Sequence, residues 1–325
     1  MNSKAVSYDL IGDIHGHAND LRQLLADLGY TYSDHDGYYS HTQRQAIFLG
    51  DFIDKGKNQR QVLDIVIPMV ENGAALAVMG NHEFNALAFH TADPDNPGCW
   101  LRPRKNSNIK QHFAFLNDFV VERQPEGGYS LERVLSFFKT LPLWLDLDGL
   151  RVVHACWSQT HVDALTLLLN PDQTLSDDFL VRANRKGTPE YEGVETLLKG
   201  VEYTLPADLA IKDNYGKERK ELRVKWWGNK AGQVRDLGLS IGPGGLTPKV
   251  AEHLVPASAL PGYAESEKPL FLGHYWMEGV PARLAPNVAC LDYSVANKGI
   301  LVAYRWDGEA ELDNSKFIGR ACGES

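Results

Sequence analysis

Hydrophobic and polar positions in this chain follow two periods, one of strands and one of helices. Val6 to Leu10 reads as extended, and Asn19 to Leu25 places apolar residues at i, i+3 and i+4, as one helix face requires. The stretch Ile11-Gly12-Asp13-Ile14-His15-Gly16-His17 therefore lies at a strand-to-helix crossing. Asp13 and His15 are two positions apart, a spacing that in an extended segment aims a carboxylate and an imidazole at one spot. The pattern recurs twice. Ala46 to Gly56 is an apolar strand running into Gly50-Asp51, and Ala75 to Glu83 is another, ending in Gly80-Asn81-His82. Asp13 to Asp51 is 38 residues and Asp51 to Asn81 is 30, which suits successive strand-helix-strand units. Three neighbouring parallel strands would then deliver polar residues to one sheet edge, where ligands collect in α/β proteins. The glycine before each polar residue allows close backbone approach.

The remaining pattern fills out an α/β chain. Residues 30 to 45, with His35 and His41, read as a loop or hairpin away from any site. Arg60 to Val70 is a helix that Pro68 would kink and Asn72-Gly73 would stop. Phe84 to His90, Ile109 to Val121 and Leu131 to Leu141 are further helical patterns. Between them, residues 91 to 108 carry Arg102, Arg104 and Lys105, either as a solvated loop or as a rim that grips phosphate. Asp148-Gly149 is a hairpin turn between two strands, the second ending at His154. Residues 158 to 225 are more polar and read as a mostly helical, cap-like insertion over the site. Trp226 and Trp227 read as packing, and Gly242-Pro243-Gly244-Gly245 as a turn. Leu270 to Gly273 is an apolar strand ending at His274, Val288 to Tyr293 and Gly299 to Arg305 form a closing hairpin, and 307 to 325 read as a tail.

Composition narrows the class. A net charge of -9 disfavours general nucleic-acid binding, which needs a basic face, yet allows a small anionic substrate where metal ions make a site locally positive. Cys99, Cys156, Cys290 and Cys322 are scattered without Cys-x-x-Cys spacing, as expected of free thiols in a reducing compartment. With no room for a signal peptide before the first strand and no apolar run of membrane-spanning length, the expected location is the cytoplasm.

Gly-Asp-Ile-His-Gly at 12–16, Gly-Asp-Phe-Ile-Asp-Lys-Gly at 50–56 and Gly-Asn-His-Glu at 80–83 resemble, in that order, the three signature blocks of the calcineurin-like metallophosphoesterases. They are most similar to the phosphoprotein phosphatase branch, which includes protein phosphatases and symmetrical diadenosine tetraphosphate hydrolases. His154 and His274 match the later single histidines of that branch. Other calcineurin-like enzymes carry a second histidine where this chain has Trp276.

The resemblance implies one domain over 1–325, folded as a four-layer α/β/β/α sandwich of two mixed sheets. It implies two divalent ions, one held by Asp13, His15 and Asp51 and the other by Asp51, Asn81, His154 and His274. Carboxylate, carboxamide and imidazole together suit manganese first, with iron, zinc or nickel as alternatives. Two dications against two carboxylates and a hydroxide leave one net positive charge to attract phosphate. The implied reaction is hydrolysis of phosphomonoesters, phosphoserine and phosphothreonine among them, by in-line attack of metal-bound hydroxide. His82, paired with Asp54, is the implied general acid. The branch normally has arginine where this chain has Lys55, a point charge without the bidentate fork, so Arg102 or Arg104 could supply the fork instead. A symmetrical dinucleoside tetraphosphate hydrolase is the alternative enzyme, and a catalytically inactive phosphate-binding scaffold is the reading from another class.

Overall fold

The computed structural model describes residues 7–121, 128–212, 216–228, 230–239, 241–242 and 244–321; Val6, Pro243 and Cys322 lie outside the described residues. Two sheets form its centre. The first orders its strands Asp292–Tyr293, Ile300–Trp306, Ser7–Ile11, Arg44–Phe48 and Ala75–Ala77. The last three are parallel, while Ile300–Trp306 runs antiparallel to Ser7–Ile11. The second sheet orders Val288–Cys290, Leu270–Leu272, Arg151–Val153 and Trp144–Asp146, the first three parallel and the last antiparallel.

Alternation along these strands produces the layers. Leu10, Ile47, Val152, Phe271, Val302 and Tyr304 face inward and form the core between the sheets, where the Phe271 and Tyr304 rings lie 5.1 Å apart. Each such buried side chain contributes about 1.5–3 kcal/mol. Their strand neighbours Ile11, Phe48, Ala77, Val153, Leu270 and Leu272 face outward into the helices. Ala18–Asp27 and Gln59–Glu71 cover the first sheet. Leu131–Lys139, Gln159–Thr166 and Pro189–Lys199 join the outward residues of the second through Phe137, Leu165 and Leu197. The result is the four-layer sandwich.

Three elements depart from the sequence reading. Phe317–Ala321 is not tail but a strand paired antiparallel with Ile300–Trp306. The stretch Val288 to Tyr293 is split: Val288–Cys290 belongs to the second sheet and Asp292–Tyr293 to the first, so the chain changes sheets at Leu291. Within the insertion, helix is confined to 159–199, and Gly200 at φ 82 ends the last helix. Beyond it, Glu202–Thr204, Glu221–Val224 and Gly238–Leu239 form a small sheet with its own core of Ile211, Leu222, Val224, Val250 and Val255. Alternation as brief as that of residues 202–204 carries little period-2 signal.

Candidate active site

Strand register sets the site. Ile11 pairs with Phe48 and Phe48 with Ala77, so Asp13, Asp51 and Asn81 leave the first sheet at one edge. Phe271 pairs with Val152 in the second sheet, which brings His154 and His274 to the matching edge. The loops then turn sharply, with His15 at φ 46, Asp51 at φ 53 and His274 at φ 71. His15 takes that left-handed turn and not the extended geometry expected of it and Asp13. A Cβ on Gly80 would lie 2.2 Å from Asp51 Oδ1, and one on Gly273 would lie 2.1 Å from Asp13 Oδ1, so both glycines are there for close approach.

Asp51 is the common member of two groups whose ligand atoms lie within 4.8 Å of one another: His15, Asp51 and His82 in one, and Asp51, His154 and His274 in the other. The His15 ring donates Nδ1–H to the Ile53 carbonyl (2.9 Å), leaving a buried Nε2 without a hydrogen-bond partner, 3.6 Å from Asp51 Oδ2. His154 donates Nδ1–H to the Leu49 carbonyl (2.7 Å), and its Nε2 lies 3.4 Å from Asp51 Oδ2 and 3.2 Å from Asn81 Oδ1. A carbonyl can only accept, so Nδ1 of each ring carries a proton, and Nε2, turned toward the carboxylate, is the nitrogen a metal would take. His274 brings Nδ1 to 2.7 Å from Asn81 Oδ1, and its backbone N–H donates to Asp13 (3.2 Å).

Electrostatics agree with this donor set. Burial and the neighbouring Asp292 push the Asp13 carboxyl up, whereas Asp51, buried as deeply, is held well below the usual range by His154, His82 and His15. Burial lowers His154, but the charge of Asp51 overrides it and draws the ring up to about 10, so this ring carries a proton that a bound cation would displace. Burial and His82 bring His15 down to about 4, so it is neutral, as a ligand must be. The carboxylate of Asp51 among the rings of His15, His154 and His274, with the Asn81 carboxamide beside them, fits divalent cations, whereas Asp13 lies in neither group of close ligand atoms and meets the site through the His274 N–H.

His82 begins the helix Asn81–His90, and its backbone N–H donates to Asp51 Oδ1 (2.9 Å). Its ring donates Nδ1–H to Asp54 Oδ2 at 2.6 Å. Burial opposes the charge on His82, but Asp51 and Asp54 raise its pKa. Glu83, given no role by the sequence reading, accepts the N–H groups of Asp51 and Phe52 at 2.8 Å each and that of Gly80 at 3.1 Å, tying the second and third blocks together.

A cavity of about 690 Å³ opens over these residues. Lys55 lines it, with Nζ 4.9 Å from the centre of the Trp276 ring, and the insertion adds Arg219 and, from its small sheet, Arg223. Arg102 and Arg104, expected at the rim, do not line it. Arg102 donates to Asn85, Asn108 and Gln111, and Arg104 lies 3.4 Å over the Trp100 ring. Carboxamide and aromatic partners close by in the fold outcompete the cavity for both guanidiniums. Arg223 had no signal beyond membership of a mixed-charge stretch. His17 pairs with Asp20 (3.2 Å), and His35 and His41 belong to neither metal-binding group.

The calcineurin-like phosphoesterase model matches residues 7–210, more than half the chain. The chain belongs to that family. Among curated relatives, the asymmetrical bis(5'-nucleosyl)-tetraphosphatase PrpE of Oceanobacillus iheyensis is 39% identical over 132 residues, 36% of this chain and 49% of that protein. The protein of the same name from Bacillus subtilis is 37% identical over 78 residues, 24% of this chain and 31% of that one. The chain thus spans about half the length, or less, of the curated relatives it matches. A Saccharomyces cerevisiae protein serine/threonine phosphatase with similarity to human phosphatase PP5 overlays with a TM-score of 0.45 at 14% identity, over 99% of this chain and 81% of that one. Among the described residues no helix is long and apolar enough to cross a membrane.

Proposed function

We propose that this protein hydrolyses phosphomonoesters, phosphoserine and phosphothreonine among them, with two divalent ions, manganese first. Asp13, His15 and Asp51 would hold one ion, and Asp51, Asn81, His154 and His274 the other. The observation that carries this is Asp51 shared between two clusters of ligand atoms, since two ions about 3.5–4 Å apart need an anion between them. Bound there, the ions would acidify water and polarise phosphoryl oxygens. The protein's own groups do the rest. His82, held by Asp54, donates a proton to the leaving oxygen, while Lys55 and Arg223 meet phosphate from the cavity wall. The inserted segment, whose strands reach the cavity, selects the substrate.

A second reading follows from the relatives' names. Dinucleoside tetraphosphates are the alternative substrate, and those relatives are named for asymmetrical cleavage, not the symmetrical cleavage the sequence reading set beside the phosphatase. Assay of the manganese- or nickel-loaded protein on p-nitrophenyl phosphate, bis-p-nitrophenyl phosphate, a phosphoserine peptide and diadenosine tetraphosphate separates these. Phosphate released from the monoesters supports the first reading. ATP with AMP supports asymmetrical cleavage, two ADP support symmetrical cleavage, and turnover of none contradicts both.

A further inference from the structure

Asp54 is buried, and the reading of His82 as proton donor leaves one of its oxygens unexplained. Oδ2 accepts from His82 (2.6 Å), while Oδ1 accepts from Nδ1 of His112 at 2.9 Å. Both neighbours donate, because an ionised carboxylate oxygen can only accept. His112 arrives from a different part of the chain, at the break between the short helices Asn106–Gln111 and Phe113–Leu116. Its ring is 4.8 Å from that of Phe115 at an interplanar angle of 21°, and 5.5 Å from that of His90. Its Nε2 is buried with no hydrogen-bond partner. A ring serving only as filler could be phenylalanine; what histidine adds here is one N–H, spent on Asp54.

The surrounding chain holds that N–H in place. Asp118 Oδ2, in the π-helical turn Asn117–Val121, accepts the backbone N–H of Gln59 (3.1 Å), and Arg60 donates to the Asp118 carbonyl (2.8 Å). The segment is thereby tied to the first turn of the helix Gln59–Glu71, which follows the loop that carries Asp54. One donor on each oxygen fixes the plane of a carboxylate that a single donor would leave free to swing.

We propose that His112 is a positioning residue: by holding Oδ1 of Asp54 it aims Oδ2 at His82, so that His112, Asp54 and His82 act as one chain ending at the leaving group. This rests on the proposed role of His82. Loss of His112 should then harm only substrates whose leaving oxygen must be protonated. His112→Phe keeps the stacking and removes the donor, and His112→Asn restores a donor near the Nδ1 position.

With manganese-loaded protein, His112→Phe should lower kcat on a phosphoserine peptide by about tenfold or more, with KM unchanged, yet change kcat on p-nitrophenyl phosphate by less than about twofold. His112→Asn should recover most of the loss. An equal fall on both substrates, or no fall on either, overturns the proposal. A second readout is independent of turnover. In zinc-loaded protein labelled with nitrogen-15 at histidine, the His82 Nδ1 proton should be sharp in the wild type and in His112→Asn, and broadened or lost in His112→Phe. An unchanged resonance in His112→Phe overturns the proposal even if the wild type hydrolyses neither substrate, a result that would count separately against the proposed function.

Discussion

His154 and Asp51 leave from different sheets, yet Nε2 of one stands 3.4 Å from Oδ2 of the other. Strand register aligns the two sheet edges, and the Leu49 carbonyl turns the His154 ring toward the carboxylate. Asp51 is consequently the side chain on which both proposed cation sites depend. Asp51→Asn should weaken metal binding by more than about a hundredfold, with bound manganese falling from two ions to one or none by elemental analysis. Retention of both ions would show that Asp51 is not shared.

Gly273→Ala tests the packing behind the ligands. The added methyl would sit 2.1 Å from Asp13 Oδ1, so backbone and carboxylate must part. The expected cost is about 1–3 kcal/mol, read as a lower urea midpoint, together with weaker metal retention. An unchanged midpoint and metal content would mean that the approach is looser than drawn.

The arginines separate by location. Arg223→Ala should raise KM for a phosphomonoester by about tenfold, as loss of one charge-assisted contact does. Arg102→Ala should leave KM within about twofold, because its guanidinium is engaged by Asn85 and Gln111 outside the cavity. The reverse ranking by steady-state kinetics would restore the rim that the loop at 91–108 suggested.

Asp54 gives the stability a defined acid dependence. Its carboxyl is held at about 2, below the ordinary 3.8, so the charged form stabilises the fold, an effect fully present above pH 3.8 and lost as pH falls toward 2. In chelator, Asp54→Asn should be less stable than wild type by about 2 kcal/mol at neutral pH. Urea titrations should show that gap closing as pH falls below about 4. A gap that widens in acid would contradict this.

Much of the candidate site was legible because most of its proposed ligands follow a short apolar strand and a glycine, a local pattern that survives without tertiary knowledge. Asp13, Asp51, Asn81 and His274 have that full signature, and His154 has the apolar strand without the glycine. What was not legible depends on contacts distant in sequence. His112 sits within an ordinary helical pattern, and only the fold brings it to Asp54. Arg102 and Arg104 looked available because nothing local reveals Asn85 or Trp100 as partners. Phe317–Ala321 reads weakly as a strand, since Gly319 interrupts five residues whose pairing comes from Ile300–Trp306.

Anomalous diffraction at the manganese edge, from crystals grown with manganese, bears most directly on the central claim. The prediction is two peaks about 3.5–4 Å apart, with Asp51 touching both, Asp13 and His15 on one, and Asn81, His154 and His274 on the other. A single peak, or peaks lying away from Asp51, would contradict it.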